Sequence, residues 1–465
     1  MHKKLLFALF LFSFTFFSIN PVAAQEGEPI YVVQPGDTLS AIAARFNVSL
    51  SDLMGANNIS DPNQLSAGQQ LVIPGLEGIS GILDTEVINF GDSFRSLMRR
   101  TQVPEDLFLS LNHVVSPSEF YVGVSMIVPA QEEGTDKKTR FTPAKGESLL
   151  EIAVKRNTDP WTLKDINALS GTWDGLPADT LYAPGGDNDQ ITSGLPSAFI
   201  SAEIRDLPLK QGGTGVIKVK AQTGVTLGGI LVDHPLHFFS DNDGTQIALQ
   251  GIHALLEPGV YPLRIDATLP DGSIQSYEQM VLIISGNYYS EVIPLNDPST
   301  IDPAVTEPEL QQIQAVVADA KDTRYWSSIF KAPAAYPDCF TSRFGTRRTY
   351  KVINSETEIP GFHSGLDFCG GEGLPITAPA AGQVVFTQLL TVRGNATIID
   401  HGWGVYSGIW HQSKINVQVG DTVEQGQVIG EVGGTGRVTG AHLHWELWVN
   451  GVQVDPLDWL SQAYP

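Results

Sequence analysis

At 465 residues the chain is longer than one hydrophobic core usually serves, so several domains are expected. It carries 51 acidic side chains against 28 lysines and arginines, a formal charge of −23. That balance argues against a nucleic-acid binder, which relies on cations meeting phosphates, and names no other partner.

Residues 1–24 read as a secretory signal. His2-Lys3-Lys4 is a basic start, Leu5 to Phe17 an apolar run, and Val22-Ala23-Ala24 supply small residues for a cut before Gln25. The apolar run is too short to span a bilayer comfortably, and no later stretch looks transmembrane. A retained anchor is the rival reading. The expected location is secreted or periplasmic, with the chain not embedded in a membrane.

A threefold repeat follows. Gly36-Asp37-Thr38-Leu39 recurs as Gly91-Asp92-Ser93-Phe94 and as Gly146-Glu147-Ser148-Leu149, 55 residues apart each time. Asn57, Asn112 and Asn167 keep that interval, as do Pro74, Pro129 and Pro184. In the first copy, residues 30–75, Tyr31-Val32-Val33 alternates into a strand. Asp37 or Thr38 can cap a helix whose Leu39, Ile42, Ala43 and Phe46 face inward. A second helix starts near Ser49 with Leu50, Leu53 and Met54 inward, and Leu71-Val72-Ile73 closes with a strand. Strand, helix, helix, strand with Pro-Gly-Asp-Thr-Leu resembles the LysM carbohydrate-binding module. The resemblance implies binding of N-acetylglucosamine-containing glycan such as peptidoglycan. The copies at 85–130 and 140–185 are divergent LysM-like modules. Asn89-Phe90 replaces Gln34-Pro35, and Trp161 and Trp173 appear in the third. They are expected to keep the fold as spacers.

A linker, Gly185-Gly186-Asp187-Asn188-Asp189, ends the repeats. Residues 195–290 turn all-β. Ile217, Val219 and Ala221 alternate with lysines, and Tyr261, Leu263 and Ile265 alternate with Pro262, Arg264 and Asp266. An immunoglobulin-like sandwich without its cysteine pair is expected, serving as a spacer or as a lid. Asp233, His234 and His237 read as ordinary strand residues rather than a second metal site. Within the linker 300–335, Thr306-Glu307-Pro308-Glu309 reads as a capping box. A helix with Leu310, Ile313 and Val317 on its stripe is then expected to run to about Asp322.

Residues 336–465 hold the chemistry. In Gly440-Ala441-His442-Leu443-His444-Trp445-Glu446 the two histidines are two apart, so in a strand they share one face while Leu443, Trp445 and Leu447 share the other. Alone, the pair reads more readily as surface histidines. Gly361-Phe362-His363-Ser364-Gly365-Leu366-Asp367 shifts the balance by adding an imidazole and a carboxylate in a glycine-bounded loop. Catalytic zinc takes three protein ligands and keeps one position open. His363, Asp367 and His444 would supply two nitrogens and an oxygen, leaving His442 beside the ion. His411 closes another strand-like run, Gly404–His411.

These motifs, with Asp400-His401-Gly402, Ser342-Arg343-Phe344-Gly345 and Gly420-Asp421-Thr422-Val423, resemble the lysostaphin-type (LytM-like) zinc metalloendopeptidases. The resemblance implies an antiparallel-β peptidase domain, one Zn2+ held by His363, Asp367 and His444, and catalytic histidines at His411 and His442. We expect His442 as base and His411 as oxyanion stabiliser, with His401 structural. The substrate implied is the peptide cross-link of bacterial peptidoglycan. Ile409, Gln412 and Ala441 depart from the usual pattern without touching a ligand. The two cysteines, Cys339 and Cys369, are disulfide candidates given export, with a thiolate ligand as the rival. The alternatives are a non-catalytic wall-binding or amidase-activating protein on the same fold, and a D,D-carboxypeptidase of the unrelated zinc family. The latter's closing Trp-His motif is missing here.

Overall fold

The structure is a computed structural model. It describes residues 29–465 apart from 77, 78, 80, 102, 115, 117, 118, 131–137, 177, 178, 186–193, 296–300, 354, 355 and 357. The signal reading and most of the Gly/Asp linker lie outside the described residues. Two compact units emerge. One holds residues up to 85 with 110–112 and 127–131; the other holds 86–109, 113–126 and 132–465.

In the first unit Ile30–Val32 pairs antiparallel with Gln70–Val72 and parallel with Ile82–Val87. Helices Leu39–Arg45 and Leu50–Ala56 lie between, and Thr38 and Ser49 cap them by accepting from Ala41 N and Asp52 N. Leu39, Ile42, Ala43, Phe46 and Leu53 are buried as expected, while Leu50 and Met54 are only half-buried. The repeated asparagine has a backbone task. Asn57 Nδ2 donates to Leu53 O and Val72 O while its Oδ1 accepts from Val72 N, stitching helix to closing strand. Asn112 makes the same clamp on Ile127, and Asn167 on Tyr182. A side-chain amide meeting both backbone groups of one residue stabilises a module this small, so the 55-residue interval is a packing signal.

In the second unit the Gly91 loop of the second repeat docks on the β-sandwich. Gly91 N donates to Tyr277 Oη and Gln279 Oε1, and Val122 N donates to Met280 O. The third repeat folds as helices Leu149–Lys155 and Pro160–Ile166 with the strand pair Lys138–Phe141 and Leu181–Pro184. Its Trp161 and Trp173 are exposed.

The sandwich is two sheets, Phe199–Arg205, Thr214–Ala221, Gln246–Gly251 and Phe238–Ser240 in one, and Thr226–Leu231, Gly259–Thr268 and Ile274–Ile284 with two short edge strands in the other. Phe199, Ile217, Val219 and Ala248 from one face meet Leu231, Leu263, Ile265 and Val281 from the other. The opposite face, Val216, Phe239, Ile247 and Leu249, joins the core of the C-terminal domain. Asn450 Nδ2 donates to Pro235 O, and Trp459 Nε1 to Thr214 Oγ1. His234 pairs with Asp233 at 2.6 Å, and neither belongs to a metal-competent cluster among the described residues.

The linker helix departs from expectation. It spans Pro303–Val317, with Asp302 capping Ala304 N and Pro303 in the first turn. Thr306 is therefore interior, Pro308 sits inside the helix, and the helix stops short of Asp322. The buried residues are Glu309, Ile313 and Val317, with Leu310 37% exposed. An Asp-Pro pair is as good a start as Thr-x-x-Glu, and local sequence does not rank the two.

The C-terminal domain is built on an antiparallel sheet. Its order is Phe340–Ser342, Leu366–Phe368, Leu443–Val449, Val405–Gln412, Gly394–Gly402, Gly382–Leu390, Thr422–Val423, with Val452–Val454 beside Leu443–Val449. Leu366, Phe368, Leu443, Trp445 and Leu447 bury one face. Cys339 and Cys369 form a disulfide with Cα atoms 5.4 Å apart, as expected.

Candidate active site

Register brings the motifs together. Leu366–Phe368 and Leu443–Val449 are antiparallel neighbours, and Asp367 lies directly opposite His444. On the other side of Leu443–Val449, Trp410 faces His444, so the next residue, His411, is carried to the same place. His411 adopts φ 61°, a left-handed conformation one residue past the last pair with Leu443–Val449. His363 reaches in from the loop between Glu358–Phe362 and Leu366–Phe368. Gly365 in that loop is a close approach: a Cβ would stand 2.4 Å from Trp445 O and 2.6 Å from His444 Nε2.

His444 Nδ1 lies 2.7 Å from Asp367 Oδ1, and His363 Nε2 lies 3.1 Å from both. All three residues are buried. Each imidazole's other nitrogen faces away from the cluster. His363 Nδ1 donates to Arg343 O at 2.9 Å, so its Nε2 carries the lone pair. His444 Nε2 is buried without a hydrogen bond and faces Glu446 Oε1 at 3.6 Å. His444 Nδ1 donates to Asp367 Oδ1, so a proton satisfies the pair in the metal-free site; with that proton gone, two imidazole nitrogens and a carboxylate oxygen converge on one buried place and suit a cation. Ligands 2.0–2.1 Å from a tetrahedral ion sit about 3.3 Å apart, close to the spacings found, so the donor set fits zinc.

His442 and His411 stand beside this set. His442 Nε2 is 3.6 Å from Asp367 Oδ1, and its Nδ1 donates to Gly440 O at 2.9 Å. His411 Nδ1 donates to Thr435 O at 2.8 Å, and its ring centroid is 5.2 Å from that of His442. His411, His442 and His444 form a second metal-competent triplet sharing His444 with the first. His401 and Asp400, by contrast, are core residues. His401 bridges Ala381 O and Ser407 Oγ, and Asp400 pairs with Lys321 at 2.7 Å. The structural reading of His401 stands, and neither residue lines the cleft.

Electrostatics follow from burial and pairing. Burial pushes the Asp367 carboxyl up, but His444 and His363 outweigh it and hold it well below the ordinary carboxylate range. Burial lowers His444, yet Asp367 and Glu446 raise it to about 9 overall. Burial, with His444 nearby, pushes His411 down to about 3, so it is neutral at neutral pH. Burial also lowers His363 and takes His401 to about 4.

The cluster opens into a cleft of about 400 Å³ whose walls include Tyr350, Leu310 and three arginines, Arg348, Arg393 and Arg437. Sequence reasoning missed Glu446 and the arginines. Glu446 shares the strand face of His442 and His444 by simple alternation, a signal that was available. The arginines come from separate strands and loops and carry none.

The C-terminal domain is a peptidase family M23 domain. Residues 361–456 match Peptidase family M23, and residues 31–74 match the LysM domain. Both resemblances read from the motifs are borne out. Among relatives, peptidoglycan DD-endopeptidase ShyA of Vibrio cholerae serotype O1 is 40% identical over 117 residues, 25% of this chain and 26% of that protein. DD-carboxypeptidase/endopeptidase Mpg of Neisseria meningitidis serogroup B is 41% identical over 95 residues, 20% of this chain and 22% of that protein. The chain thus spans about a quarter of the length of the curated relatives it matches. The catalytic domain of the antimicrobial peptidase lysostaphin from Staphylococcus simulans is 35% identical, covering 22% of this chain and 81% of that domain, with a TM-score of 0.21. Among the described residues no helix is long and apolar enough to cross a membrane.

Proposed function

We propose that this chain is a secreted or periplasmic peptidoglycan hydrolase, a zinc-dependent endopeptidase that cuts peptide cross-links of the bacterial wall and is targeted there by LysM glycan binding. The observation that carries the reading is the convergence of His363 Nε2, Asp367 Oδ1 and His444 Nδ1 inside a segment that matches Peptidase family M23. The DD-endopeptidase relatives support the substrate class.

His363, Asp367 and His444 would hold one Zn2+, which when bound polarises the scissile carbonyl and activates water. Both flanking imidazoles spend their Nδ1–H on a backbone carbonyl, so each in its neutral form offers a bare Nε2. His411, held neutral by burial, presents its Nε2 as a hydrogen-bond acceptor, and so low a pKa makes it a weak proton acceptor near neutral pH. His442, with 19% of its side chain exposed and its Nε2 3.6 Å from Asp367 Oδ1, stands at the mouth of the site and suits the base role. The three arginines of the cleft suit a peptide bearing free carboxylates. Docking of the Gly91 loop on Tyr277 and Gln279 supports a spacer role for the second repeat, leaving residues 30–75 as the glycan-binding module.

The test is digestion of purified wall by the zinc-loaded protein with and without chelator, followed by fragment analysis. Cleaved cross-links that vanish with chelator and return with zinc support the reading. Release of a free terminal amino acid alone means a carboxypeptidase, and no solubilised fragment from the loaded protein ends the enzyme reading.

A further inference from the structure

The buried face of helix Pro303–Val317 has one discordant member. Glu309, Ile313 and Val317 recur at four-residue intervals; the last two are aliphatic, and Glu309 is a carboxylate only 6% exposed. It lies outside the matched segment 361–456. Its oxygens are fully used on one turn. Oε2 accepts from Val392 N at 2.8 Å, and Oε1 accepts from Arg393 N at 3.1 Å and Arg393 Nη1 at 3.0 Å.

That turn leads to both halves of the site. Arg393 O accepts from His411 N at 2.9 Å, holding the backbone where His411 bends. Arg393 Nη2 lies 3.8 Å from Glu446 Oε1, and the guanidinium stacks over Trp410 at 5.4 Å. Glu446 is fixed by Ser364 Oγ at 2.6 Å and Trp448 Nε1 at 3.0 Å, and its Oε1 faces the otherwise unpartnered His444 Nε2. A carboxylate behind a ligand histidine sets the ring's tautomer and aim.

We infer that Glu309 is a positioning residue for the metal centre, acting through Arg393 on Glu446 and His444 and through the Arg393 carbonyl on His411. The inference rests on the metal-centre reading above. Glu309 supplies the nearer of two carboxylates around the half-buried Arg393, and it fastens the 392–393 turn to the helix. The linker helix is thereby part of the catalytic apparatus and more than a tether.

The test compares full-length wild type with Glu309→Gln, Glu309→Asp and Ile313→Ala. Zn2+ affinity is read by chelator competition, Co2+ coordination by its visible spectrum, folding by circular dichroism, and kcat and KM on wall fragments. Glu309→Gln should bind Zn2+ about 10-fold more weakly, as losses behind a ligand typically do. Its Co2+ bands should change, and kcat should fall with KM nearly kept. Glu309→Asp keeps the charge and should recover most of the affinity. Ile313→Ala removes packing from the same helix face, so it should lower stability while keeping affinity. Wild-type affinity and Co2+ spectrum in Glu309→Gln overturn the inference, as does an equal loss of affinity in Ile313→Ala. Should Glu309→Gln not fold, the same comparison is read from Glu309→Asp, where a loss of affinity supports the inference and unchanged affinity and spectrum overturn it. If wild type binds no metal, the proposed function falls with it.

Discussion

Asp367→Asn in the metal-stripped protein isolates the charge at the centre of the site. His444 is buried, and its imidazole is raised to about 9 from 6.5 chiefly because Asp367 outweighs burial. A folded pKa above the unfolded one gives stability that is fully present below about pH 6.5 and lost as pH rises through about 9. The gap of about 2.5 pH units corresponds to about 3 kcal/mol. The substitution removes the carboxylate, so His444 loses its partner and the contribution disappears. With chelator present at pH 6, the variant should therefore melt about 6–12 °C below wild type, at about 2–4 °C per kcal/mol for a domain of this size. The gap should close by pH 9.5, because wild type has by then lost the same stabilisation. Melts followed by tryptophan fluorescence across this range read it directly. A gap that stays constant from pH 6 to 9.5, or widens, refutes the reasoning.

Three further outcomes follow from the geometry. Metal ligation needs a neutral His444, so zinc uptake at pH 7 should release about one proton per ion, and affinity should rise with pH until about 9; buffers of different ionisation enthalpy in calorimetry measure this. Gly365→Ala places a methyl against Trp445 O and His444 Nε2, backbone and ligand alike, so it should cost about 1–3 kcal/mol of stability and weaken zinc binding; a fully active, equally stable variant contradicts the close approach. Cys339→Ser opens a loop of 30 residues two positions past Asp367, so it should destabilise by about 3–4 kcal/mol on the loop-entropy model; a chelator melt beside wild type checks it.

Much of this molecule was legible in local pattern. The alternation of His442, Leu443, His444 and Trp445 separates site face from core face in any strand. The 55-residue recurrence of Asn57, Asn112 and Asn167 marked three related modules before the backbone clamp explained it. Cys339 and Cys369 had no other partner to choose.

What the chain alone left open depends on register and on contacts between distant segments. That Asp367 and His444 meet depends on strand pairing that sets them opposite each other, a fact of hydrogen-bonded register across 77 residues. The aim of His411 and His442 depends on the backbone carbonyl each Nδ1–H finds, Thr435 or Gly440, and one of those lies 24 residues away. Glu309 looked like half of a capping box, and only packing turned it inward toward Arg393. Periodicity reports which face of an element is buried; it carries no information about what that face meets, because the meeting partner is chosen by the free energy of the whole assembled core.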